Sequence, residues 1–131
     1  VTTLATDRGL TIAEAAEATG LTTHTLRYYE RDGLLPDPVE RASSGHRRYR
    51  EQDLGWITLV TRLRATGMPV REVRAYAELV RAGEGNEAER LDLLRAHRER
   101  VRAELAAVRR HLDAIEHKID VYEARTARED C

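Results

Sequence analysis

The strongest constraint on this chain is a row of apolar side chains in its C-terminal third. Leu91, Leu94, Val101, Leu105, Val108, Leu112, Ile115, Ile119 and Tyr122 follow at alternating steps of three and four, with Arg98 where the series is interrupted. That spacing is the heptad seam of a coiled coil. A helix over Glu87–Glu123 would be on the order of 55 Å long at 1.5 Å per residue. No other segment is large enough to cover its stripe, so a second copy of the chain is the natural partner and a homodimer is expected. A lone helix folded back on its own domain is the competing arrangement. The heptads by themselves leave parallel and antiparallel pairing open.

The 131 residues, 41% hydrophobic and 34% charged, suffice for one small domain with such an extension. Phe is absent, and five Tyr and one Trp make up the aromatic set, which argues against a single large core. Lys plus Arg is 22 against 23 acids, a net charge of -1, so whole-chain charge does not announce nucleic acid. Its distribution is more telling. Residues 41–64 hold six Arg against two acids, Glu51 and Asp53, whereas beyond Gly83 ten basic and twelve acidic residues nearly balance. No apolar run reaches membrane-spanning length and no signal-peptide core is present, so a cytoplasmic location without a membrane partner is expected. The single cysteine, Cys131, rules out an intrachain disulfide and reads as exposed and incidental.

In chain order, residues 1–10 read as a flexible lead-in, with Leu4 or Leu10 as an anchor on the domain. Residues 11–82 read as one small domain. Thr11 with Glu14 three residues on is a capping box, and Thr19-Gly20 ends the helix it starts. Leu21 is expected to be the buried residue of the turn. Thr22 or Thr23 then caps a helix to Arg31 that Gly33 ends, with Leu26 and Tyr29 or Glu30 on one face and His24, Arg27, Tyr28 and Arg31 over the rest. Helix, glycine turn, helix is helix-turn-helix spacing, which helical hairpins share. Leu34 and Leu35 insert into the core before Pro36. A turn at Ser43-Ser44-Gly45 leads to a short strand with Arg47 and Tyr49, the wing. Between Arg41 and Arg50 there are four arginines and no acid, which suits duplex DNA and equally a solvated surface. Glu51–Ala65 reads as a third helix, striped by Leu54, Ile57, Leu59 or Val60 and Leu63, with Trp56 packing beside it. A fourth follows Pro69, striped by Val70, Val73, Tyr76, Ala77 and Val80. Its Arg71 and Arg74 face either phosphates or solvent. Residues 83–86 read as a hinge, 87–125 as the dimerisation helix and 126–131 as a tail.

With these pieces in order, the chain resembles the MerR family of bacterial transcriptional regulators. The resemblance is carried by TIAEAAEATGLTTHTLRYYERDGLLP, then GHRRYREQDLGWITLVTRLRATGMPVREV, then the long helix, and covers residues 11–125. Leu-Arg-Tyr-Tyr-Glu followed by Gly-Leu-Leu-Pro is its most specific part. The resemblance implies a mainly α fold: a winged helix-turn-helix domain followed by a long antiparallel coiled-coil dimerisation helix. It places Thr23, His24 and Arg27 at the major groove and Tyr28 on the backbone, with Arg47 gripping from the wing, Tyr49 nearby and Arg48 a weaker contact. Glu30 is expected to orient Arg27 or a wing arginine, or to pair within the domain. The nine seam residues are the dimerisation set. The implied partners are a near-palindromic promoter operator in double-stranded DNA, a second protomer and, indirectly, RNA polymerase holoenzyme. The implied action is to bend and untwist a promoter whose spacer is overlong.

Departures from the family's patterns bear on what is sensed. Metal-sensing relatives use cysteines near the end of the long helix, and residues 108–128 have none. No metal and no cofactor are expected. His97, His111 and His117 read as ordinary surface or satisfied histidines. The short stretch after Tyr122 differs from relatives with a dedicated drug-binding domain. Residues Trp56–Val121 look most like the compact, aldehyde- and electrophile-responsive branch, yet that branch's third-helix cysteine is missing from Leu54–Arg62. A small apolar or aromatic effector, or none, is left. Two other classes compete with a DNA-binding regulator. A protein-interaction adaptor would use the basic wing on an acidic partner. An enzyme lacks support, since no catalytic triad, phosphate loop or metal constellation is recognisable.

Overall fold

A computed structural model describes residues 9–130; Leu4, read as an anchor, and Cys131 lie outside them. The fold is mainly helical with one small sheet. Among the described residues, five helices, α1 (Ile12–Thr19), α2 (Thr23–Arg31), α3 (Glu51–Ala65), α4 (Val70–Ala82) and α5 (Glu87–Glu129), flank two short strands, β1 (Glu40–Arg41) and β2 (Arg47–Arg48). The chain divides into two compact units, Val1–Leu93 and Leu94–Cys131.

In the first unit, α1 packs on both α2 and α3. Ala15 at the contact has no exposed surface, so the backbones approach closely. The capping box forms as read: Thr11 Oγ1 accepts the Glu14 N–H at 3.2 Å, and Glu14 Oε1 accepts the Thr11 N–H at 2.9 Å. The hydrogen bonds from the Thr11 N–H and the Thr11 side chain hold the Glu14 carboxyl below the usual carboxylate range. Helix α2 starts on Thr22, whose Oγ1 accepts the Thr25 N–H at 3.1 Å. It closes where Gly33 adopts φ +73°, letting the Leu34 N–H reach the Tyr29 carbonyl at 2.9 Å. Leu21 is only half-buried, against expectation, and Leu26, Tyr29, Leu34 and Leu35 carry the core instead. Each such side chain is worth about 1.5–3 kcal/mol when fully removed from water.

The strands pair antiparallel, Glu40 opposite Arg48 and Arg41 opposite Arg47. Leu10 adds a further bridge: its N–H donates to the Tyr49 carbonyl at 2.7 Å and its carbonyl accepts the Tyr49 N–H at 2.8 Å. The end of the supposed lead-in is therefore tied to the wing. Gly9 makes this approach feasible, since a Cβ there would lie 3.1 Å from the Tyr49 carbonyl oxygen at φ +77°.

Helices α3 and α4 pack together through Ile57, Val60, Leu63, Val73 and Ala77. Trp56 stands against Tyr76 with ring centroids 5.6 Å apart. Arg74 is half-buried, and its Nε donates to the Asp32 carbonyl at 2.8 Å. Arg81 donates to the carbonyls of Leu35 and Pro36. Helix α4 thus staples the loop that follows α2.

The turn between α4 and α5 is closed by side-chain hydrogen bonds. Asn86 donates to the Leu79 carbonyl at 2.7 Å, and Arg90 reaches both Asn86 Oδ1 and the Gly83 carbonyl at 2.7 Å. The first residues of α5 accordingly belong to the first unit. The helix runs for 43 residues, roughly 65 Å. Its seam is bare: Leu91, Leu105, Val108, Leu112, Ile115, Ile119 and Tyr122 are 45–57% exposed, and Leu94 and Val101 are half-buried. No described helix is long and apolar enough to cross a membrane.

Candidate nucleic-acid interface

Helix α2 turns Leu26 and Tyr29 inward, 1% and 6% exposed, and thereby fixes what it can present. At 3.6 residues per turn, burying those two leaves His24, Arg27 and Arg31 exposed, with Thr23 and Tyr28 half-exposed. Tyr29 is pinned from below by its hydroxyl, 3.3 Å from Thr61 Oγ1. Arg31 lies over the Tyr28 ring at 5.8 Å, a cation–π contact that restricts both.

The wing comes up beside this helix. A cleft of about 350 Å³ opens between them, lined by Arg27 of α2, Arg41, His46, Arg47 and Arg48 of the wing, Gly45 at its tip, and Thr11 and Ile12 at the start of α1. Four arginines are among its lining residues and no carboxylate is. The N-terminal end of α1 adds the positive end of its dipole. Such an arrangement suits an extended anion, since guanidinium forks match phosphate oxygens. The wing hairpin keeps its shape because the Ala42 N–H donates to the His46 carbonyl at 2.9 Å and Arg41 Nη1 to the Gly45 carbonyl at 3.0 Å.

Of the residues singled out in the sequence, Arg27, Arg47 and Arg48 meet in the cleft. Thr23, His24 and Tyr28 lie on the outer face of α2 and do not line it. Tyr49 is a correction. It is 1% exposed and packed under the wing, so its side chain is not offered at the surface. Burial pushes its phenol pKa up, with Glu30 and Asp53 adding to the rise and Arg47 and Arg27 opposing it. Glu30 does what one reading gave it: Arg47 Nε donates to Glu30 Oε1 at 2.5 Å, and the other carboxylate oxygen accepts the Val39 N–H at 3.1 Å. Arg41 enters the sequence reading only as one of the basic loop's arginines, and His46, Thr11 and Ile12 carry no signal that places them here. The capping box marks where α1 begins, but nothing in the sequence says that its end opens beside the wing. Among the described residues, no group of three or more His, Cys, Asp or Glu is arranged to hold a metal ion.

The profile of the MerR HTH family regulatory proteins matches residues 10–79, and one described as MerR, DNA binding, matches residues 54–118. An uncharacterised HTH-type transcriptional regulator of Haemophilus influenzae is 37% identical over 117 residues, covering 89% of this chain and 86% of its own. A solved structure assigned to the MerR-family transcriptional regulators of Listeria monocytogenes has a TM-score of 0.84 at 35% identity, over 88% of this chain and 86% of that one. HiNmlR, a MerR-family regulator described as lacking the sensor domain and solved bound to promoter DNA, has a TM-score of 0.80 at 37% identity, over 89% and 92%. These relatives are transcriptional regulators, not enzymes. With a family profile spanning more than half of its residues and a relative alike over nearly its whole length, the chain belongs to the MerR family of helix-turn-helix transcriptional regulators.

Proposed function

We propose that this regulator works as a cytoplasmic homodimer that grips a near-palindromic promoter operator and bends and untwists it, so that RNA polymerase holoenzyme can engage an overlong spacer. The convergence of Arg27, Arg41, Arg47 and Arg48 on one cleft beside α2 carries the DNA-binding part. On this side of the domain, Arg27, the exposed His24 and the half-exposed Thr23 read bases, and Tyr28, Arg47 and Arg48 hold the backbone. The bare seam of α5 supports the dimer, because seven large apolar side chains stand exposed along one helix. Antiparallel pairing of the two seams is part of the proposal. The promoter-bound state of HiNmlR supports the choice of ligand. For regulation, a small apolar or aromatic effector fits better than a thiol-reactive one, since Leu54–Arg62 contains no cysteine.

Selection from a pool of genomic duplex fragments tests the reading. The recovered fragments should share an inverted repeat, and binding should weaken steeply with salt. Arg27→Ala and Arg47→Ala should each lower affinity for the recovered duplex by about tenfold, as expected for loss of one base or phosphate contact of about 1–3 kcal/mol. Recovery of no common sequence, or unchanged affinity in both variants, would show that this face is not the reading surface.

A further inference from the structure

We infer that Glu30 is a positioning residue for phosphate recognition, fixing the guanidinium of Arg47 in the cleft. This rests on the DNA-binding reading above and concerns a residue that itself touches no DNA. Three observations carry it. Arg47 and Glu30 are a part-buried pair, with side chains 22% and 15% exposed, so their contact is not an ordinary solvated surface bridge. Glu30 is in turn immobilised: it sits in the last turn of α2, and its second oxygen accepts the Val39 N–H just before β1. One carboxylate therefore ties the recognition helix, the strand that opens the wing and the wing arginine together. Finally, the pairing uses only the Nε–H of Arg47, and its guanidinium has no other hydrogen bond among the described residues. A guanidinium carries five N–H donors, so the Nη groups stay available in a cleft that Arg47 lines.

The chemistry explains why an acid is tolerated at a DNA-binding face. Arg27, Arg41, Arg47 and Arg48 share the cleft, and a free Arg47 would be pushed away by its neighbours and lose rotamer order. Holding its Nε on a fixed carboxylate sets the plane of the fork before DNA arrives. The arrangement costs one unit of positive charge and gains a preset donor pair.

That trade makes an unusual prediction of sign. Glu30→Gln removes a negative charge from a DNA-binding face, and charge alone would tighten binding. Positioning predicts the reverse: affinity for the duplex recovered by selection, read by fluorescence anisotropy, should fall about five- to tenfold. In the Arg47→Ala background the same substitution should change affinity by less than about twofold, since nothing is left to position. Glutamine retains a carbonyl for the Val39 N–H, and melting curves of each variant check the fold. Tighter or unchanged binding by Glu30→Gln overturns the inference, as does an equal loss in both backgrounds. If Glu30→Gln does not fold, Arg47→Lys decides: it keeps the charge but has no Nε–H to hold and no fork to present, so it should bind about as poorly as Arg47→Ala. Wild-type affinity in Arg47→Lys would overturn the inference. Unchanged binding by Arg47→Ala would instead remove the DNA-binding role assigned to the wing, which distinguishes the two failures.

Discussion

The hydroxyl of Tyr49 is buried, and no hydrogen-bond partner reaches it among the described residues. A buried hydroxyl left unpaired costs about 1–3 kcal/mol. Tyr49→Phe should therefore be neutral or raise stability by about 1 kcal/mol, and leave duplex affinity unchanged, as a melting curve and a binding titration would show. Loss of DNA binding without unfolding would restore Tyr49 to the interface. The residue also shows where the sequence stops being informative. Arg47 and Tyr49 alternate on one face of the strand, as period-two spacing requires. Two arginines and a tyrosine in a basic loop read naturally as outward-facing. The structure turns that face inward, where Tyr49 is buried and Arg47 meets Glu30. Which face of so short a strand points in depends on the bridge to Leu10 and on the carboxylate of α2, neither of which is near it in sequence.

Among the elements, helices α1 to α4 were legible because their signals are local: caps, glycine stops and apolar stripes at helical spacing. Thr11, Thr22 and Gly33 perform the roles their types suggest. The staples between elements were not legible. Arg74 and Arg81 look like any exposed helix arginine until the fold brings the Asp32, Leu35 and Pro36 carbonyls to them. The start of α3 carries a titration of its own. Asp53 Oδ2 accepts the Arg50 N–H at 2.8 Å, which favours the carboxylate. Burial outweighs this and, with Asp37 and Glu40 nearby, pushes the carboxyl pKa up. Between the ordinary carboxylate value and that raised one, the folded chain holds more protons than the unfolded chain, so this group's contribution to stability falls as pH rises through the window. Asp53→Asn keeps a carbonyl for the Arg50 N–H and removes the titration. The variant should be at least as stable as wild type near pH ~7, with the advantage shrinking towards pH ~3. Thermal melts across that range check this; a wild type that gains on the variant as pH rises would contradict the burial effect.

For the whole molecule, the seam of α5 is the feature that a single chain leaves unresolved. The sequence made the helix and its stripe plain, and the structure extends the helix to Glu129. The partner was legible only as a need, because heptad spacing specifies a complementary surface without saying which chain supplies it or in which direction. Leu105 and Leu112, 48% and 49% exposed, lie near the middle of that seam. Placing Asp at both would put charges where apolar side chains have to meet, at a cost of several kcal/mol if the interface forms. The most direct measurement is sedimentation equilibrium of wild type and the Leu105→Asp, Leu112→Asp double variant, each also titrated with the selected duplex. Wild type should sediment at twice the mass of the chain, and the variant at the mass of one chain with operator binding lost. A variant that remains dimeric, or a monomeric one that still holds the operator as tightly as wild type, would contradict a dimer built on this seam.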